Sequence, residues 1–190
     1  GACALYSMGK TTGLVIDSGH SKTTVMPIID GVSSKNFLKY FEIAGKSLSE
    51  EIIDKIPNSL NENSYLQYQI DHVKRLLSHK IEDNSEMPMI NLPDGIKINL
   101  KKELLHLPDI IFEKCDKNRK SFKSTIYESV EKIDFNIQKR LFDSIMITGG
   151  NSQTKNFDSR LMIELNNYNG NIKFKSINEL RNLKSDEAFS

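Results

Sequence analysis

Apolar residues cluster along this chain in two different patterns, and the change of pattern predicts the secondary structure. Residues 13–17 and 23–29 are short, nearly continuous apolar runs, which are typical of buried β-strands. Gly19 and Ser21 lie between them, so the two runs predict a hairpin. Further strands are predicted at 145–148 and 172–175, a short one around Ile96 and Ile98, and a strand pair within 35–43.

Other stretches place apolar residues three and four positions apart, as one face of an α-helix does. In the first of these, Ser47 and Glu50 have the spacing of a capping box, and Pro57 ends the helix. Asp134 is predicted to cap a later helix. The predicted helices start at about residues 46, 64, 122 and 134, another follows Gly149-Gly150 and carries Phe157, and 101–113 contains a helical turn.

The order of these elements is strands, helices, a strand, a helix and a strand, which indicates an α/β fold. Residues 1–45 and 134–190 are predicted to form a sheet-containing subdomain, and 46–133 a mainly helical one. Residues 80–91 are interpreted as a loop, and 114–120 as a charged, mobile loop.

Composition narrows the function only slightly. The chain has 190 residues, of which 38% are hydrophobic, and 26 basic residues balance 25 acidic ones. A net charge of +1 argues against a dedicated nucleic-acid surface, and no apolar run reaches the roughly 18 residues of a membrane span. Cys3 and Cys115 have no metal-binding spacing and are interpreted as reduced thiols of an intracellular protein.

The first residues suggest that the sequence is an excised piece of a longer protein. Gly1 is followed at once by an apolar run through Tyr6, and there is no initiator Met. We therefore expect a fragment.

A first candidate site is the predicted hairpin turn Asp17-Ser18-Gly19. A glycine lets the backbone approach a phosphate closely, with N–H groups free to donate. Asp17, at a strand end, could hold a divalent cation through water. An ordinary polar hairpin turn is an equally good interpretation of these residues alone.

A second candidate is Thr148-Gly149-Gly150-Asn151, between a predicted strand and a predicted helix. Two glycines allow close contact with a phosphate or a flat ring, and a helix N-terminus favours anions. A tight strand-to-helix turn without a ligand would have the same pattern.

Three other patterns are set aside. Gly9-Lys10-Thr11 resembles a P-loop, but that motif needs a glycine where Ala4 stands, and a helix rather than a strand after it. The four histidines lack convincing metal spacing. No catalytic triad is recognisable, and no catalytic residue is assigned.

Taken in order, five segments resemble actin and the actin-related proteins. These are Leu5 to Gly19, Val25 to Gly31, Ala44-Gly45-Lys46, Leu92-Pro93-Asp94-Gly95 and Thr148 to Asn151, followed by the helix through Leu161. The resemblance implies the actin-like ATPase fold (ribonuclease H-like, shared with hexokinase and chaperone ATPases). It implies one lobe of that fold, the second, with a central mixed sheet, flanking helices and a helical insertion.

The resemblance also implies a cofactor, namely ATP with Mg or Ca in the full-length protein. It assigns Asp17, Ser18, Gly19, His20, Gly149, Gly150 and Asn151 to nucleotide binding, together with Lys74, near which the adenine-side pair of the family falls. Asp17 is assigned to the metal indirectly, through water. This chain alone, without the facing lobe, is expected to bind no nucleotide.

Two departures from the family pattern bear on hydrolysis. Actin carries a second Asp where this chain has His20, and a His that helps catalysis where it has Thr24. Because hydrolysis needs a positioned water and charge stabilisation, the resemblance predicts weak or absent ATPase activity.

The sequence of the Asp17 turn looks most like the nuclear actin-related protein four (BAF-type) group. This implies a nuclear, non-polymerising subunit of chromatin-remodelling or histone-modifying complexes. Other subunits of the complex, with actin a possible one, are the expected partners, with at most indirect contact to nucleic acid and none to membrane. The alternatives are a cytoplasmic, cytoskeletal filament protein, or another ATPase or sugar kinase of the superfold.

The basic segment 114–123 is either a solvated insertion or a surface for an acidic partner.

Overall fold

The computed structural model describes residues 2–6, 9–55, 70–74, 89–91, 97–99, 109–154 and 157–166. Its strands are β1 (Gly13–Ser18), β2 (Thr23–Ile29), β3 (Val32–Ser33), β4 (Lys39–Phe41), β5 (Met89–Asn91), β6 (Lys97–Asn99) and β7 (Ile145–Thr148). Its α-helices are α1 (Ala2–Tyr6), α2 (Gly45–Lys55), α3 (Ile110–Glu113), α4 (Phe122–Val130), α5 (Phe135–Phe142) and α6 (Phe157–Asn166). A 3₁₀ helix spans Gly150–Gln153, and residues 70–74 are helical.

A mixed sheet lies at the centre of the described fold. β1 pairs antiparallel with β2 on one side and parallel with β7 on the other, and β3 and β4 both pair with β2. β1 is buried along almost its whole length. This explains why its sequence is a nearly continuous apolar run and does not alternate between apolar and polar residues. The predicted α/β class with a mixed central sheet is confirmed.

A row of phenylalanine rings joins the sheet to the helices. Phe122, the first residue of α4, stacks on Phe41 of β4, with ring centroids 5.5 Å apart. Phe112 of α3 lies against Phe122 on one side and Phe157 of α6 on the other. All four rings are buried, so this row is the part of the core that holds α3, α4 and α6 against the sheet.

The starts of two helices show where a local sequence pattern predicts the helix cap correctly and where it does not. Asp134 caps α5 as predicted, since its carboxylate accepts from the Asn136 N–H at 2.9 Å. The predicted capping box at Ser47 and Glu50 is wrong, because α2 begins earlier, at Gly45. Its first N–H groups bond to backbone carbonyls of the β1–β2 turn, a tertiary contact that no local motif reveals.

Other predictions are confirmed or corrected along the chain. The strand at 13–17 and the strand at 145–148 are confirmed, and the one around Ile98 lies at 97–99. The interpretation of 80–91 as a loop is wrong for 89–91, which form β5. The strand at 172–175 lies outside the described residues, and of the helix predicted from residue 64 only 70–74 are described. The division into two subdomains stays a prediction.

The basic segment 114–120 has neither helix nor strand, as expected of a loop, and its chain turns between Asp116 and Arg119. Its mobility stays a prediction. The Asp116 carboxylate is buried and accepts from the N–H groups of Asn118 and Lys120, both at 2.9 Å. Lys114 and Lys120 pair with Glu51 and Glu128. The Asp116 carboxylate satisfies the backbone N–H donors of the turn, and the acidic neighbours neutralise part of the positive charge of the segment.

No helix within the described ranges is long and apolar enough to cross a bilayer.

Candidate functional site

The two candidate turns of the sequence meet at one edge of the sheet. β1 and β7 are parallel and in register, with Asp17 beside Thr148, so their carboxyl ends open on the same side. In open α/β sheets, this edge is where ligands bind. The N-terminus of α2 completes the site, because the Gly45 N–H donates to the Gly19 carbonyl at 3.0 Å.

The turn after β1 has its carbonyls fixed by α2. The Gly19 carbonyl accepts from Gly45, and the His20 carbonyl accepts from the Lys46 N–H at 2.6 Å. In a trans peptide the C=O and the following N–H point in opposite directions. The N–H groups of His20 and Ser21 must therefore point away from α2. We call these two groups the donor pair.

The donor pair has the form of an anion-binding backbone element. Within the described part of the chain, neither N–H donates to a protein acceptor, and both residues are exposed. Adjacent backbone N–H groups that have no protein acceptor can donate to an anion such as a phosphate oxygen. The expectation that the N–H groups of this turn are free is wrong for Gly19, whose N–H donates to the Lys22 carbonyl within the hairpin.

Gly149 brings the β7 turn into direct contact with β1. Its backbone has φ +90° and ψ 165°, a region that residues with a Cβ avoid. A Cβ at this position would lie 2.3 Å from the Ser18 carbonyl oxygen and 2.6 Å from Asp17 Oδ1. The Asp17 carboxylate therefore lies directly over the Gly149 backbone. Gly150, by contrast, faces open space.

Beneath the turn lies a buried polar network. Ser18 Oγ lies 3.0 Å from Thr23 Oγ1 across the hairpin. The Asn151 side chain, 8% exposed, donates to Ser18 Oγ at 3.1 Å and to the Gly19 carbonyl at 2.7 Å. These bonds satisfy the polar groups that the fold removes from water, and they tie the two turns together.

Lys74 reaches the same place from the helical segment 70–74. Its Nζ donates to the Gly45 carbonyl at 2.9 Å and to Ser49 Oγ at 3.1 Å. Its pKa is lowered from the usual value, because burial disfavours the ammonium, while the nearby Asp71 acts in the opposite direction. Lys74 therefore lies at the start of α2, bonded to the residue that holds Gly19.

The lowered pKa of Lys74 predicts a pH dependence of stability. The folded protein releases this proton at a lower pH than the unfolded chain does. The contribution of Lys74 to the free energy of unfolding should therefore rise as the pH climbs through the folded-state pKa and level off above the ordinary value of 10.5. It should be lost again as the pH falls.

Urea unfolding of the wild type and of Lys74→Met, measured at several alkaline pH values, isolates this contribution, since the other titrating groups cancel in the difference. A difference that stays constant or falls with rising pH would contradict the assignment.

The residues fit a phosphate group better than a metal held by protein alone. The donor pair and the glycine backbones offer N–H donors at close approach. Asp17 contributes one carboxylate, and among the described residues no three His, Cys, Asp or Glu side chains are grouped to hold an ion. A cation at Asp17 would need water or phosphate oxygens as its remaining ligands, so the water-mediated role of Asp17 stays a prediction.

The structure adds site residues that were not assigned from sequence. Gly45 is one, since a Cβ there would lie 3.2 Å from both the Gly19 carbonyl oxygen and Asn151 Oδ1. The signal was the glycine at the start of a predicted helix. Thr23 and Ser49 had no such signal, because their partners are distant in sequence. Thr24 lies opposite Asp17 in the hairpin register.

Comparison with known proteins agrees with the family resemblance of the five sequence segments. The actin family model matches residues 1–76 and 61–185. Putative actin-29 of Dictyostelium discoideum is 32% identical over 119 residues, covering 53% of this chain. Actin-related protein 2 of Oryza sativa subsp. indica is 41% identical over 51 residues, which is 27% of this chain. Actin-related protein 7 of Arabidopsis thaliana is 24% identical over 108 residues, or 53% of this chain.

The matched region is a minor part of each relative. It covers 30% of the length of putative actin-29 and of actin-related protein 7, and 13% of actin-related protein 2. The residues of the β1–β2 turn and the β7 turn lie within the range that the family model matches.

Proposed function

Because this chain belongs to the actin family, we propose that it is the second lobe of an actin-related protein that binds ATP with Mg or Ca and hydrolyses it weakly or not at all. We propose further that the whole protein is a non-polymerising subunit of nuclear chromatin-remodelling or histone-modifying complexes. Its partners would be the other subunits, among them actin. ATP would then act as a structural ligand that stabilises the folded protein.

The observation that carries the proposal is the donor pair. The N–H groups of His20 and Ser21 point away from α2 because the two carbonyls before them are bonded to its first turn. A phosphate oxygen placed there would accept from both, and hydrogen bonds to a charged acceptor are the stronger ones.

Weak hydrolysis follows from two side chains near this pair. His20 stands where the family has a second acidic residue, which leaves Asp17 as the carboxylate of the turn. Thr24, opposite Asp17 in the register, stands where actin has a His, and a hydroxyl cannot serve as a general base near neutral pH. The loss of such a contact typically lowers a rate by about 10²–10⁴-fold.

The nuclear assignment rests on sequence likeness in the two turns. Asp17-Ser18-Gly19-His20-Ser21 and Thr148-Gly149-Gly150-Asn151-Ser152 look most like the nuclear actin-related protein four group. Coupled ATP hydrolysis drives filament turnover in actin. The replacements at His20 and Thr24 argue against such a role here, because they are expected to slow hydrolysis. A scaffolding subunit would retain the bound nucleotide without the reaction.

A filament-forming or filament-regulating protein is the second candidate. The 32% identity to putative actin-29 favours it. Copurification of the full-length protein separates the two, since chromatin-complex subunits support the first and filament regulators the second. Cosedimentation gives an independent answer, because pelleting at an actin-like critical concentration would overturn the non-polymerising role.

Nucleotide binding itself is tested on the full-length protein. We expect ATP to bind with micromolar or tighter affinity in calorimetry, and to be hydrolysed about 10²-fold or more slowly than by actin. The isolated chain should bind ATP poorly, since it supplies one side of the cleft. Turnover at actin-like rates would contradict the assigned roles of His20 and Thr24, and absence of ATP binding would overturn the proposed site.

A further inference from the structure

We infer that Asn151 is a positioning residue: through the Gly19 carbonyl, its side-chain amide sets the direction of the donor pair. This rests on the proposed nucleotide site and adds the residue that keeps that site in shape. On this inference, the part that Asn151 takes in nucleotide binding is an indirect one. The support comes from hydrogen-bond geometry around one peptide group.

Both N–H bonds of the Asn151 amide are already used, by the last residue of β1 and by the turn after it. An amide nitrogen carries two donors, and these go to Ser18 Oγ at 3.1 Å and the Gly19 carbonyl at 2.7 Å. The side chain is buried, with 8% of its surface exposed. No donor of this side chain remains for a phosphate oxygen, which can only accept, so its effect on a bound phosphate must pass through the turn.

The Gly19 carbonyl is therefore held from two directions. The Gly45 N–H reaches it from α2 at 3.0 Å, and Asn151 reaches it from the β7 turn at 2.7 Å. Two bonds from different elements restrict the tilt of this peptide group more than either bond would alone. Because the His20 N–H belongs to this peptide group, its direction is fixed by the same two bonds.

The glycines near Asn151 have no side chain that could replace its hydrogen bond to the Gly19 carbonyl. Gly45 and Gly149 both lie against the β1 turn so closely that a Cβ would press on its backbone. The three chain segments therefore meet as backbone against backbone, and the Asn151 amide is the side-chain link between two of them. Occupancy of the donor pair and the packing of the β7 turn should then depend on each other.

The test uses Asn151→Asp in the full-length protein, with ATP and adenosine as probes in calorimetry. The substitution is nearly isosteric but turns the donor that faces the Gly19 carbonyl into an acceptor. We expect ATP affinity to fall about 10- to 100-fold, the scale of one or two hydrogen bonds to a charged phosphate. Adenosine affinity should change less than about threefold, because adenosine does not reach the donor pair.

Two further variants separate positioning from general stability. Asn151→Ser removes the amide without adding charge, should show the same selective loss, and serves if the aspartate variant does not fold. Ser152→Ala is the matched control, since Ser152 lies in the same 3₁₀ helix as Asn151 and its Oγ bonds to the Gly149 carbonyl rather than to Gly19. It should leave the ratio of ATP to adenosine affinity unchanged.

Equal losses for ATP and adenosine would overturn the inference and leave Asn151 with a structural role only, and so would unchanged ATP affinity. Amide hydrogen exchange decides the matter without nucleotide. The Gly45 and Lys46 N–H groups, which bond to the turn, should exchange at least about tenfold faster in Asn151→Ser than in the wild type. If the wild type binds no ATP, the proposed function fails while this exchange result still supports or overturns the role of Asn151.

Discussion

Replacing Gly149 with alanine is expected to lower the free energy of unfolding by about 2–6 kcal/mol. A residue with a Cβ at φ +90° carries about 1–3 kcal/mol of backbone strain. The new methyl group would also lie 2.3 Å from the Ser18 carbonyl oxygen, and relieving such an overlap typically costs about 1–3 kcal/mol more. Urea unfolding of wild type and variant measures the sum.

Gly150→Ala is the matched control for this prediction. Gly150 is the next residue, it has no atom within 4 Å of an added Cβ, and its φ is not positive. Its substitution should change stability by less than about 0.5 kcal/mol. The prediction extends to the site, because moving the β7 turn away from β1 separates Asn151 from Gly19. Equal effects of the two substitutions would show that the close approach at Gly149 is not what holds the turns together.

Phe122→Ala is expected to destabilise the protein by about 3–5 kcal/mol, the usual range for removing a fully buried phenylalanine. Phe122 is 1% exposed and lies between the rings of Phe41 and Phe112. Its loss would leave a cavity where α3, α4 and the sheet meet. Since small domains are stable by about 5–15 kcal/mol, the variant should unfold at a much lower urea concentration.

Phe135→Ala tests whether this effect belongs to burial or to the residue type. Phe135 is also the first residue of a capped helix, α5, but 74% of its surface is exposed. Its substitution should change stability by no more than about 0.5 kcal/mol. A comparable loss in both variants would mean that the start of the helix, and not the aromatic row, determines the cost.

Much of the candidate site could be predicted from local sequence. Asp17, Ser18 and Gly19 end a buried apolar run, and Gly149 and Gly150 end another. These are features of chain geometry that a strand and a turn impose on their own residues. The order of the segments then pointed to one fold, and the actin family model confirms it. The nuclear role, the nucleotide and the partners rest on finer resemblance and stay proposals.

The predictions that failed share a physical cause. Ser47 and Glu50 have the spacing of a cap, yet α2 begins at Gly45, because carbonyls from the β1–β2 turn satisfy its first N–H groups. The Gly19 N–H was expected to be free to donate, yet it bonds to the Lys22 carbonyl across the hairpin. In each case, a hydrogen-bond partner lies where periodicity and composition carry no information.

The turn Asp17-Ser18-Gly19 separates what the sequence determines from what the tertiary structure decides. The sequence by itself determined that a strand ends there in a polar turn that contains a glycine, because apolar periodicity and glycine placement are local properties of the chain. The tertiary structure alone decided which N–H groups are free, since the Gly19 N–H is used within the hairpin while those of His20 and Ser21 point away from α2. That outcome depends on Gly45 and Asn151, far away along the chain, whose hydrogen bonds fix the peptide only once the fold has brought them together.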